Sequence, residues 1–129
     1  MQVRGLDHYN VSTRDAAASA RFYVDVLGFR IGDRPPFPFP GAWVYCGEQP
    51  VLHLVEKAEI PDGTGRVDHI AFQASGYAET KARLDTHAVN YREQVVPGSG
   101  LTQLFLETPD SLWLELIFQP DDVANGAAA

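Results

Sequence analysis

The sequence predicts an α+β fold built from two similar βαβββ modules in one compact domain. Asp-His dipeptides recur at 7–8 and 68–69, each inside a short apolar segment. The segment 51–55 resembles 113–117, and the spacing of this pair differs from that of the first by a single residue. Because both matches hold nearly the same offset, they indicate an internal repeat. The predicted organisation is a module at 1–57, a linker at 58–65, a module at 66–119 and a frayed tail at 120–129.

In the first module, the apolar and aromatic residues of 6–12 predict a strand. Residues 13–15 offer N-caps for a helix over Ala16–Leu27, whose apolar residues recur at helical spacing, and Gly28 is a natural stop. The four prolines between 32 and 41 predict a loop. The other predicted strands of this module are a weakly marked one near 29–33 and a hairpin of 42–46 with 51–56.

The second module repeats the order, with turn sequences at 97–100 and 108–111. His87 falls at the end of the predicted helix, where we expect it to cap the C-terminus. The predicted elements are a strand at 67–73, a helix at 77–87 and strands at 91–96, 101–106 and 112–118.

Alternation along the matched strands separates an apolar face from a polar one. The apolar face, predicted to pack on the helices, carries Tyr9, Val11, Leu52, Leu54, Ile70, Phe72, Leu114, Leu116 and Phe118. The polar face carries His8, Asn10, His53, His69 and Glu115, with Trp43, Tyr45, Gln103 and Phe105 beside them. Cys46 falls on the apolar face, where we expect it to pack as a small hydrophobic residue.

Three histidines and a glutamate on one face indicate a divalent-metal site. An isolated histidine in a strand is more often a hydrogen-bonded core residue, but the repeat gives His8 and His69 equivalent positions. A buried carboxylate at Glu115 needs a partner, because burying it alone is costly. The predicted ligands of a Zn, Ni, Fe, Mn or Co ion are His8, His53, His69 and Glu115. The predicted substrate-binding residues are Trp43, Tyr45, Gln103 and Phe105.

Composition excludes several classes of partner. The 129 residues carry 17 acidic against 10 basic side chains, a formal charge of −7, which disfavours nucleic acid and anionic membrane surfaces. No apolar run approaches the ~18 residues of a membrane span, and the N-terminus shows no signal-peptide core. The single cysteine fits a reducing compartment. We therefore expect a cytoplasmic protein with a small-molecule substrate, no nucleic acid and no membrane.

Segments 6–11 and 20–29 resemble the opening of the vicinal oxygen chelate superfamily, and 67–72 and 109–116 resemble its second half. That superfamily includes glyoxalase I, bleomycin-resistance proteins, extradiol dioxygenases, fosfomycin-resistance enzymes and methylmalonyl-CoA epimerase. The resemblance implies paired βαβββ modules forming a curved sheet, a cup, around a divalent metal, with the helices on its outer face. It also implies a homodimer.

Each predicted ligand matches a ligand position of that superfamily. His8 and His69 match the first-strand ligands, and Glu115 matches the last-strand carboxylate that also serves as the base in glyoxalase-like members. His53 matches the remaining position, where glyoxalase I usually carries Glu and the epimerase Gln. Residues 108–111 read Thr-Pro-Asp-Ser where the family has Asp-Pro-Asp-Gly.

The residues and the resemblance together predict a metal-dependent lyase, isomerase or epimerase of the glyoxalase type. Its small substrate would bind through two adjacent oxygens, and Glu115 would abstract a proton from carbon. One alternative is an extradiol-type ring-cleavage dioxygenase in which His8, His69 and Glu115 hold Fe(II). A further alternative is a metal-free protein that binds a small molecule or antibiotic.

Overall fold

A computed structural model describes residues 1, 5–60, 62–63, 67 and 69–128 of the chain, with helical side chains up to 126. The chain divides into two compact units, 1–61 and 62–129. Each unit holds one four-stranded mixed sheet in the same order of elements, β-α-β-β-β. The predicted α+β class and the two βαβββ modules are confirmed.

The sheet of the first unit has the strand order β1-β4-β3-β2, with β1 parallel to β4 and the other pairs antiparallel. Its elements are β1 (Tyr9–Thr13), α1 (Ala16–Leu27), β2 (Arg30–Gly32), β3 (Gly41–Cys46) and β4 (Gln49–Glu56). The proline-rich segment 33–40 is the predicted loop. β1 begins later than expected, so His8 lies just before the strand.

Both ends of α1 are set by the predicted residues. The Asp15 side chain accepts a hydrogen bond from the Ala18 amide, which satisfies one free N–H of the first turn. Gly28 adopts a left-handed conformation, with φ of 72°, and its amide donates to the Val24 carbonyl. The helix packs on β3 and β4 through small and aromatic residues. The buried apolar residues of this unit are Ala16, Ala20, Tyr23, Val26, Val44, Leu52 and Leu54.

The second unit repeats this sheet with the order β5-β8-β7-β6, in which β5 is parallel to β8. Its elements are β5 (His69–Gln73), α2 (Tyr77–Thr86), β6 (Tyr91–Val95), β7 (Thr102–Glu107), β8 (Trp113–Phe118) and α3 (Pro120–Ala128). Its buried apolar residues are Leu84, Leu104, Leu106, Leu112, Leu114, Leu116 and Phe118. His87 occupies the C-cap of α2, as predicted. None of the described helices has the length and apolar character of a membrane span.

The C-terminal segment differs from its prediction, because 120–128 forms the helix α3 rather than a frayed tail. Pro120 is suited to a first helical position, and Asp121 and Asp122 complement the positive end of the helix. α3 packs closely on α2: a Cβ at Gly126 would lie 3.2 Å from that of Ala78. The packing of α3 on α2 is a tertiary contact, which the order of residues in a short terminal segment does not show.

Cys46 also differs from its prediction, since it is exposed rather than packed in the core. The register of β3 against β4 shifts between Val44, which is fully buried, and Cys46. Such a bulge interrupts the strict alternation of faces from which the burial of Cys46 was inferred.

Candidate metal-binding site

In the first unit, three aromatic rings form one stack on the polar face of the sheet. The register places Trp43 of β3 and Asn10 of β1 on either side of His53 in β4. The indole of Trp43 lies 3.9 Å from the imidazole of His53, with 6° between the planes. The His8 ring covers the other side of His53 at 3.8 Å and 15°. The predicted ligands His8 and His53 are therefore in direct contact.

His8 is oriented by a carboxylate. Its Nδ1 lies 2.7 Å from Oδ2 of Asp7, and the Gln49 side chain donates to the Asp7 carbonyl and to Oδ1. The hydrogen bond from His8 is the main cause that lowers the pKa of Asp7. Metal-binding histidines commonly direct their second nitrogen at such a carboxylate, which leaves Nε2 for the ion. The Asp7–His8 pair has this arrangement.

His53 holds a buried nitrogen without a partner. Its Nε2 has no hydrogen bond among the described residues. Burial is the main cause that lowers the pKa of His53, aided by His8, although a hydrogen bond to the Pro50 backbone opposes the shift. Pro50 offers only a carbonyl, so we assign the donor to Nδ1, which leaves a lone pair on Nε2. A buried polar atom normally has a partner, and a neutral imidazole nitrogen of this kind is a good metal ligand.

The stacked arrangement limits how His8 and His53 can share an ion. A nitrogen lone pair lies in the plane of its ring, and a bound ion lies about 2.1 Å from the nitrogen. Two nearly parallel rings at 3.8 Å cannot both contain the same ion in their planes. One ring must turn on binding, and the His8 side chain, 39% exposed, has the freedom to do so.

In the second unit, a buried carboxylate and a histidine lie side by side. The register pairs Ala71 with Glu115 and His69 with Trp113, so His69 and Glu115 share a face. Nε2 of His69 lies 3.2 Å from Oε2 of Glu115, whose side chain is 6% exposed. Two ligands of one ion, each about 2.1 Å from it, are separated by roughly 2.9 to 3.5 Å. The pair therefore has the spacing of two ligands as well as that of a hydrogen bond.

Gln103 and Phe105 of β7 surround this pair. The Gln103 side chain donates a hydrogen bond to Oε1 of Glu115, and the other carboxylate oxygen, Oε2, faces His69. Phe105 is opposite Glu115 in the register, and its ring meets His69 edge-on at 6.0 Å. Gln103, predicted as a substrate-binding residue, is thus a hydrogen-bond partner of the predicted base.

Tyr45 lies on the same strand as Trp43, beside the loop. Its hydroxyl donates to the Asp33 carbonyl, and the Arg30 guanidinium lies 4.5 Å from its ring centre. A Cβ at Gly32 would come within 2.6 Å of the Tyr45 ring, so the glycine leaves the space that the ring occupies. The Tyr45 hydroxyl proton is therefore engaged by the loop backbone rather than free to bind a substrate.

The structure thus brings the predicted residues together as two clusters, one in each unit. Within the described residues, no three or more His, Cys, Asp or Glu side chains are gathered as a metal-binding group. Asp7 and Pro50, the partners of His8 and His53, were not predicted, nor was Gln49, which donates to Asp7. The repeated Asp-His dipeptide was a signal for Asp7, whereas its second copy, Asp68, lies outside the described residues.

The family model of the Glyoxalase/Bleomycin resistance protein/Dioxygenase superfamily matches residues 5–116. Since this match spans most of the chain, the protein belongs to that superfamily. The resemblance stated from the sequence motifs is confirmed.

Individual relatives agree with this assignment. The uncharacterized protein YwbC of Bacillus subtilis (strain 168) is 29% identical over 122 residues, covering 85% of this chain and 94% of its own. A putative glyoxalase family protein from Bacillus anthracis has the same fold, with a TM-score of 0.76 and 20% identity over 92% of this chain and 98% of that one.

Two solved structures with named activities are also similar. Lactoylglutathione lyase from Agrobacterium tumefaciens has a TM-score of 0.68 and 20% identity, covering 92% of this chain and 96% of its own. The fosfomycin resistance protein FosX from Listeria monocytogenes has a TM-score of 0.72 and 16% identity, covering 91% of this chain and 94% of its own. At these identities the likeness shows the fold alone.

Proposed function

We propose that the protein is a divalent-metal-dependent enzyme of the lyase, isomerase or epimerase type. Its ligands are His8, His53, His69 and Glu115, and the ion is Zn, Ni, Fe, Mn or Co. The observation that carries the proposal is Nε2 of His53, which is buried and has no hydrogen-bond partner in the described part of the chain, because burying such an atom is costly unless a ligand binds it. The hydrogen bond between the Asp7 carboxylate and Nδ1 of the neighbouring His8 supports the same assignment.

The donor set favours an oxygen substrate. Three neutral imidazoles and one carboxylate leave a divalent ion with one net positive charge, which suits a small anionic or enolisable substrate bound through two adjacent oxygens. The ion would supply Lewis acidity toward those oxygens.

Glu115 is the proposed general base. Its Oε2 would take up the proton released from a carbon next to a substrate carbonyl, while Gln103 holds Oε1. The Glu115 side chain is only 6% exposed, so it is shielded from bulk water. Trp43 and Phe105 would supply the apolar walls for the rest of the substrate.

The proposal is tested by metal analysis of untagged protein, followed by proton NMR of α-hydroxy ketones and aldehydes in deuterated water. We expect one divalent ion per chain and enzyme-dependent loss of the proton signal next to the carbonyl. Protein that binds none of the five metals would overturn the proposal in favour of the metal-free binding protein. Oxygen uptake with catechols under Fe(II), without any proton exchange, would replace it with the dioxygenase, for which His8, His69 and Glu115 are the donors.

A homodimer remains part of the proposal, as does a cytoplasmic location. The mass of the particle in solution, measured by light scattering with and without the ion, tests the first. The lactoylglutathione lyase and the fosfomycin resistance protein are both named for small molecules, which supports a small-molecule substrate here.

A further inference from the structure

The loop between β2 and β3 presents two exposed aromatic rings. Phe37 and Phe39 are 42% and 41% exposed and lie parallel, 5.1 Å apart with 13° between their planes. The prolines that flank and separate them restrict the backbone of this loop. Two adjoining, partly exposed aromatic rings on a restricted segment form a contiguous apolar patch, which is typical of a binding surface.

This pair continues into the metal-binding cluster of the same unit. The Phe37 ring lies 6.5 Å from the indole of Trp43, which in turn stacks on His53. The rings therefore form a continuous apolar surface that begins at a proposed ligand and ends at the loop. A substrate held at His53 would extend its other end along this surface.

Arg34 adds a positive charge to the loop. Its guanidinium lies 5.2 Å from the ring centre of Phe37 and 5.1 Å from that of Phe39, and Nη2 donates to the Phe39 carbonyl. Among the described residues, no carboxylate forms an ion pair with Arg34. The other N–H groups of the planar Arg34 guanidinium can donate to the two oxygens of a carboxylate. In a chain with a formal charge of −7, an arginine without an acidic partner on an aromatic surface indicates an anionic ligand.

We propose that Arg34, Phe37, Phe39 and Trp43 bind the non-reacting end of the substrate, and that this end is a planar aromatic ring bearing a carboxylate. The ring packs against the phenylalanines and Trp43, and the carboxylate pairs with Arg34. The inference rests on the proposed function, because it names the substrate class of that site. The binding surface itself does not require the ion.

The test uses full-length protein with Trp113→Phe, which leaves Trp43 as the single indole of the chain. Quenching of its fluorescence and calorimetry are followed with three probes in a chelator: phenylacetate, 2-phenylethanol and cyclohexylacetate. We expect phenylacetate to bind tightest, and Arg34→Met to weaken it about tenfold while leaving 2-phenylethanol unaffected. Phe37→Leu should weaken the binding of both aromatic probes, phenylacetate and 2-phenylethanol. Arg21→Met, an exposed arginine on α1, is the matched control.

The chelator separates this proposal from the function on which it rests. If the carboxylate of phenylacetate binds only the metal, the probe will bind when zinc is present and binding will be lost in the chelator. Arg34→Met will then leave the affinity unchanged. This result would overturn the inference alone. Equal binding of the three probes, or an unchanged affinity in Arg34→Met with only a lower thermal stability, would also overturn it. A shift of oligomeric state in Phe37→Leu would identify the surface as a contact between copies and reject the substrate assignment.

Discussion

Trp43 and His53 lie opposite each other on neighbouring antiparallel strands, and their rings are parallel within 6° at 3.9 Å. The indole covers one side of the imidazole while His8 covers the other. Because His8 has to turn before both histidines can bind one ion, Trp43 is the neighbour that keeps the His53 ring in place. A ligand fixed in this way does not lose side-chain freedom when it binds an ion.

Replacing Trp43 tests this packing. Trp43→Leu should weaken zinc binding roughly tenfold, because the flat surface that orients His53 is lost, whereas Trp43→Phe should retain most of the affinity. Competition against a chromophoric chelator gives both dissociation constants. Equal losses in the two variants would show that stacking does not position His53.

The carboxylate behind His8 gives a second prediction. Asp7→Asn should weaken zinc binding about 10- to 100-fold, since the amide cannot support the positive charge that develops on the imidazole. Asp85→Asn, an exposed change on α2, removes the same charge elsewhere and should leave the affinity unchanged. If both variants weaken binding equally, the effect is one of overall charge and the orientation of His8 is not involved.

The ligand positions themselves give a third prediction. His8→Ala and Glu115→Gln should each abolish metal retention and proton exchange while the far-ultraviolet circular dichroism stays native. In Glu115→Gln the amide oxygen can still accept the hydrogen bond from Gln103. The Gln103 side chain therefore keeps its partner, and the fold should be retained. Glu107→Gln, on the neighbouring strand and exposed, is the control. Full metal occupancy in either ligand variant contradicts the assignment.

His53 predicts a pH dependence of stability. Burial holds its pKa below the ordinary 6.5, so the unfolded chain binds this proton more readily than the folded one. The contribution of His53 to the free energy of unfolding is therefore complete above pH 6.5 and is lost as the pH falls through the lowered pKa.

Urea unfolding of the metal-free protein across this range measures the effect. His53→Gln should flatten the profile, whereas His87→Gln, at the exposed C-cap of α2, should follow the native chain. Asp7, with a pKa held below 3.8, acts at more acidic pH and does not obscure the comparison. A native-like slope in His53→Gln would show that another group is responsible.

A fifth prediction concerns the turn at 108–111. Ser111 has a φ of 61°, a conformation that costs an ordinary L-residue energy and that glycine adopts freely. Ser111→Gly should therefore raise the free energy of unfolding by about 1 kcal/mol, with a higher melting temperature. Ala17→Gly, an exposed site within α1, should lower it by a similar amount. Destabilisation by Ser111→Gly would mean that its side chain makes a contact worth more than the backbone strain.

Much of the fold could be predicted because local chemistry specified it. Asp15 and Gly28 bounded α1 correctly, since caps depend on the residue at one position. The repeat predicted that the second unit copies the first, and strand alternation placed Glu115 with His69 and His53 with Trp43. The helix α3 and the exposure of Cys46 were predicted wrongly, because the packing of α3 on α2 and a shift in strand register are tertiary features that the residue pattern does not show.

The sequence by itself determined the two βαβββ modules, the separation of apolar and polar faces and the membership of the superfamily, since these follow from residue order and period. Only the tertiary structure decided which partner each polar group has: Asp7 pairs with His8, Gln103 pairs with Glu115, and Nε2 of His53 has none among the residues that the structure describes. The physical reason is that a hydrogen bond requires particular atoms within about 3 Å, and strand register and side-chain rotation settle that distance.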